Sequence, residues 1–289
     1  MQPVNWSRRP DGLRAPVMVC AFGGWNDAGD SASDALAAVS DAFSATSFAT
    51  IDLEPFVDLR ETRPIVRLVD GETREIVWPE SNILSAYAPR APRDLVLLQS
   101  PEPALHWRAY CATVIELAEA LNCSIVVTLG GFLADVPHTR PVPVAGSATD
   151  EELSEKLGLV SSNYQGPTGI TGVLHAACAA ADMPSVSLWA AVPHYIATMA
   201  NPKASLALVR KLESLTGVIV DAAPLERAAA EQEHQVELAI EHDSDMRTFV
   251  EQLEEAVGEQ EPEQEEIPSG DAIARDVQRF LRQQGTDGS

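Results

Sequence analysis

Short apolar runs without polar alternation, each followed by a helical pattern, set the strongest limit on how this chain folds. Residues 17–22, 48–51, 95–98, 124–129 and 185–192 read as strands buried on both faces. Helical spacing of apolar residues follows at 31–43, 104–121, 168–181 and 202–215. Strands of that kind joined by amphipathic helices imply a mainly parallel sheet covered on both sides, a three-layer α/β/α sandwich over roughly residues 10–220. One segment breaks the pattern. Residues 64–69 and 73–78 flank Asp70-Gly71, a pair suited to a type I′ turn, and predict a β-hairpin as an antiparallel excursion at the sheet edge.

The last quarter has a different character. From Asp221 onward 19 acidic residues face 5 basic ones, which accounts for 14 of the 23 net negative charges of the 289-residue chain. Helical patterns at 224–240 and 243–257 predict a helix pair, and the acidic run 259–266 predicts a flexible linker before a short helix near 269–281. The expected division is therefore a core domain over 1–221 and an acidic helical appendage over 222–289.

A net charge of −23 excludes broad electrostatic attraction to nucleic acid or to anionic membranes. No apolar run reaches the ~18 residues that a bilayer span requires. Residues 1–14 carry three arginines with no long apolar stretch after them, so no signal peptide is expected. Cys20, Cys111, Cys123 and Cys178 form no C-x-x-C pair and read as reduced thiols. The expected compartment is the cytoplasm.

The turn after the first core strand, Gly23-Gly24-Trp25-Asn26-Asp27-Ala28-Gly29-Asp30-Ser31, nearly spells a phosphate-binding loop. Asp30 stands where the phosphate-pairing lysine belongs, and Asp27 adds a second negative charge. The carboxylates of both are expected to serve the first helix start instead of an anion. Three further segments fall where the strands of a doubly wound sheet end: 130–141, 164–170 and 192–195. Together the four loops gather Trp25, Asn26, Asp27, Asp30, Asp135, His138, Arg140, Thr168, His194 and Tyr195. An enzyme would use His138 or His194 as general base, with Arg140 and a helix N-terminus capped by Thr168 as an anion site. The bland alternative is that these residues cap helices and brace turns. No metal-ligand spacing, no Gly-x-Ser-x-Gly elbow and no cofactor motif is present, so neither a catalytic residue nor a cofactor is assigned.

The same four segments occur together, in this order, in a known group. Gly23 to Asp30, Leu133 to Pro141, Tyr164 to Ile170 and Ser187 to Tyr195 resemble the bacterial branch of the proteasome assembly chaperone family, the kind related to the second subunit of the eukaryotic assembly chaperone pair. The resemblance implies a fold similar to purine nucleoside phosphorylases and self-association into small rings or dimers, with a trimer as the particular expectation. It also implies binding to proteasome α-subunits and no agreed catalytic residues. Relatives that dock into the α-ring often end with a penultimate tyrosine, whereas this sequence ends Gln283-Gln284-Gly285-Thr286-Asp287-Gly288-Ser289. The resulting expectation is a non-catalytic, homo-oligomeric, chaperone-like protein that assists 20S proteasome assembly. The alternative is an enzyme or sensor with a nucleoside- or phosphate-type ligand at the sheet ends.

Overall fold

A computed structural model describes residues 4–156, 158–159 and 164–260. At its centre four strands run parallel: β2 (Val17–Gly23), β7 (Leu95–Pro101), β8 (Ile125–Ala134) and β10 (Ser185–Pro193). Their side chains are apolar on both faces because helices cover both. Val17, Val19 and Ala21 of β2 pack with α1 (Ser31–Ala42) and α5 (Pro202–Thr216), while Met18, Cys20 and Phe22 pack with α2 (Trp107–Ala120) and α4 (Ile170–Ala180). The period-two alternation of a strand thus divides one apolar run between two cores.

The sheet is mixed, not mainly parallel. On the β7 side, β6 (Glu80–Ala86), β3 (Thr46–Asp52) and β1 (Val4–Trp6) continue it with antiparallel pairings, and β9 (Val144–Ala148) adds an antiparallel edge beside β10. The eight strands run in the order β1-β3-β6-β7-β2-β8-β10-β9. Four of the seven pairings are antiparallel, so the parallel expectation holds for the central strands alone. Strand β6 escapes a pattern search because its buried positions include Ser81 and Ser85. Ser81 is satisfied inside the core by the hydroxyls of Ser100 and Tyr110, each at 2.8 Å, which lets a polar residue occupy a buried strand.

The hairpin at Asp70-Gly71 forms as β4 (Ile65–Val69) and β5 (Thr73–Val77). Asp70 and Gly71 both have positive φ, 53° and 76°, the signs that a type I′ turn requires. The hairpin is a separate two-stranded sheet and not an extension of the main one.

The first compact unit extends to His242 and includes α6 (Ala223–Glu241), which packs on α5 and buries Leu225, Ala229 and Val236. A short helix, α3 (Glu151–Lys156), lies between β9 and α4. The second unit contains α7 (Ser244–Gln260). The expected linker at 259–266 begins inside α7, at Glu259 and Gln260. Its remainder, and the helix expected near 269–281, lie outside the described residues. Among the described residues no helix is long and apolar enough to cross a membrane.

Candidate functional site: the carboxyl ends of the central strands

The chain leaves β2 at Gly23 and turns into α1 through Trp25, Asn26 and Asp27. Asp27 is buried, and its carboxylate accepts hydrogen bonds from the α1 amides of Ala32 (2.6 Å) and Ser33 (3.3 Å) and from the Ser33 hydroxyl. It therefore satisfies the helix N-terminus from within. Burial raises its pKa above the ordinary carboxylate value, and these three hydrogen bonds oppose the rise. Asp30 does not share the task. It sits at φ 50° at the N-cap position, exposed, with no side-chain capping bond.

Two other helices that begin near these loops are also capped by the protein itself. The Asn201 side chain accepts from the Ala204 amide of α5 at 2.9 Å. Glu102, just past the end of β7, accepts from the Ile170 amide at the start of α4 at 2.9 Å and from the Asn26 side-chain amide at 2.5 Å. Thr168, expected as the α4 cap, is exposed; Gly169 occupies the N-cap position and no side chain of its own caps there. Close approach explains two glycines. A Cβ on Gly169 would lie 2.1 Å from the Asn26 amide nitrogen, and one on Gly131 would lie 2.1 Å from the Ser31 hydroxyl.

The remaining candidates form two pairs. His138 donates its backbone N–H to the Tyr195 hydroxyl at 2.7 Å, and its Nδ1 lies 2.8 Å from the same oxygen. Lys203 donates to the His138 carbonyl at 2.5 Å and to the Glu233 carboxylate at 2.9 Å, joining this loop to α5 and α6. A narrow pocket lies here, lined by Val136, His138, Val142, Asn201, Lys203 and Glu233 among others. Its cation is already engaged by Glu233. The second pair is His194 with Asp135, at 3.0 Å and exposed to solvent. Arg140 is exposed. Sequence patterns did not single out Glu102, Lys203 or Glu233. Their partners are 30 to 76 residues away, and no local spacing announces them.

The solvent-facing side chains at this end are mixed: Asp30, Asp135, Arg140, Thr168 and His194 are exposed, and beside them stand several large apolar side chains. Trp25 is 66% exposed, and Leu105, Phe132, Leu133, Tyr164 and Met199 are also exposed. Among the described residues no group of three or more His, Cys, Asp or Glu side chains could hold a metal ion. The arrangement can offer aromatic and aliphatic contact area on anchored loops.

These features define a mixed α/β protein whose sheet ends carry clamped loops with several large apolar side chains exposed. The chain belongs to the PAC2 family, whose model matches residues 21–240. It is similar to the Mycobacterium tuberculosis proteasome-assembly chaperone homologue Rv2125, at 43% identity over 81% of this chain and 99% of that one, with a TM-score of 0.75. It is equally similar in sequence, 43% over the same shares, to a PAC2 family protein from Streptomyces avermitilis, with a TM-score of 0.77. The Pyrococcus furiosus archaeal proteasome activator PbaB shares the fold at a TM-score of 0.67 and 16% identity, over 83% of this chain and 99% of that one. A search of curated proteins finds no match.

Proposed function

We propose that this protein is a non-catalytic, chaperone-like binding protein that self-associates and engages proteasome α-subunits during 20S assembly through the carboxyl ends of its central strands. One observation carries the reading. The N-termini of α1, α4 and α5, where a phosphorylated ligand would bind, are already met by Asp27, Glu102 and Asn201, while Trp25, Phe132 and Leu133 stand exposed beside them. An interface of this kind takes its strength from aromatic anchors such as Trp25 on pre-positioned loops. Similarity to a proteasome-assembly chaperone homologue supports α-subunits as the partner. The four cysteines are free and buried, and burial raises the pKa of each thiol, Cys111 and Cys123 to about 12. Inert thiols of this kind support a reducing compartment such as the cytoplasm.

Immobilised full-length protein, incubated with purified α-subunits, tests the assignment. Retention of α-subunits that Trp25→Ala abolishes supports it; equal retention by both proteins, or none by either, counts against it. A ligand-binding enzyme would instead show a thermal shift with nucleosides or nucleotides that Arg140→Ala removes.

A further inference from the structure

Hairpin β4–β5 presents an apolar surface that the sheet-end reading leaves unused. Its register places Ile65, Val69 and Val77 on one face and Val66, Leu68 and Ile76 on the other. Ile65 is 67% exposed, Val66 59%, Leu68 57% and Ile76 55%, and Trp78 follows them at 51%. Neither face is therefore a core face. A two-stranded hairpin is marginal in water, and three or more strands give independent stability. Both outer edges also lack a strand partner among the described residues, which leaves rows of backbone groups open to pairing.

Charge indicates what covers this surface. Residues 63–78 carry Arg63, Arg67 and Arg74 against Asp70, Glu72 and Glu75, a balanced set in a chain of net charge −23. Arg67 stands directly opposite Glu75 across the hairpin. A partner recruited by charge would be basic and would settle on the acidic remainder of the molecule. The hairpin instead suits a surface that is equally neutral, equally apolar and equally in need of strand partners. Two copies of a strongly acidic protein also repel least where their local charge is balanced.

We propose that β4–β5 is the self-association face and that its occupant is the same hairpin of a second copy of this chain. The inference rests on the self-associating reading above and adds to it the surface that does the work. Two hairpins together supply four strands and cover apolar faces that one copy leaves in water.

The test compares the full-length protein with Val66→Glu/Ile76→Glu by size-exclusion chromatography with light scattering. Wild type is expected to associate, and the variant to dissociate with a constant at least ~10-fold weaker. Association is expected to hold or strengthen from about 0.05 M to about 0.5 M salt, because screening relieves the repulsion between the acidic bodies. Hydrogen exchange on wild type supplies a second readout: amides 65–77 should gain protection with protein concentration. An unchanged circular dichroism melt shows that the variant is folded. A wild type that is monomeric at every concentration overturns self-association altogether. A variant that stays associated, or hairpin amides indifferent to concentration, overturns the hairpin assignment alone. Retention of α-subunits by the dissociated variant leaves the sheet-end reading standing.

Discussion

Glu102 and Asn26, 76 positions apart in the chain, meet at the end of the central strands with the Asn26 amide donating to the Glu102 carboxylate at 2.5 Å. The same carboxylate oxygen accepts from the first amide of α4, so one side chain ties the ends of β7 and β2 to the start of a helix. Asn26 is 1% exposed, and its donor has no route to water if the carboxylate is removed. Glu102→Ala is therefore expected to cost ~1–3 kcal/mol, the penalty for a buried polar group left without its partner. Denaturant unfolding measures it; an unchanged midpoint would show that the clamp contributes nothing.

Asp27 serves α1 in the same way, with two amides and a hydroxyl directed at its carboxylate. Removing it in Asp27→Ala should lower stability by about 1–2 kcal/mol. Asp30→Ala should fall within ~0.5 kcal/mol of wild type, because that carboxylate is exposed and caps nothing. Equal losses for both variants would contradict the division of labour between them.

Asp94 gives the fold an acid-sensitive brace. Burial alone would push its pKa up, but hydrogen bonds from the Arg14 side chain and from the amides of Arg14 and Ala88 outweigh that and hold it below the ordinary carboxylate value. A pKa lower in the folded than in the unfolded state means stability that is fully present above the unfolded value. That stability is lost as pH falls through the folded one. Asp94→Asn should consequently be less stable than wild type at neutral pH, with the gap narrowing as the pH drops below ~4. Thermal melts across pH 2–7 would check this, and a gap independent of pH would refute it.

Much of this architecture is legible in the sequence, for identifiable reasons. Unbroken apolar runs such as 17–22 mark strands whose alternate residues enter two different cores. Asp70-Gly71 marks a hairpin because few other pairs adopt positive φ twice in succession. Strand β9 leaves no such trace, since Val144-Ala145-Gly146-Ser147-Ala148 is an edge of small residues in which a Cβ on Gly146 would meet the Ser187 carbonyl at 2.6 Å. The site was half readable. Loop patterns pointed to Asp27, His138 and Tyr195, but gave no sign that Glu102, Lys203 and Glu233 would take up the polar groups around them. Ion pairs and caps between distant segments depend on tertiary packing, which local spacing does not encode.

The exposed apolar set at the strand ends makes a further distinction. Trp25 is largely solvent-exposed, so Trp25→Ala should leave the melting temperature within a few degrees of wild type. A loss of several kcal/mol would mean that the ring supports the fold, and its proposed role as a contact residue would fall.

The most direct measurement is the affinity of the full-length protein for purified proteasome α-subunits, by titration calorimetry, beside the folded variants Trp25→Ala and Phe132→Ala. A saturable interaction that each substitution weakens by ~10-fold or more, with folding intact, is the predicted result. An interaction of unchanged strength in both variants, or no interaction with wild type at any concentration, would contradict the assignment of the strand ends as the docking surface.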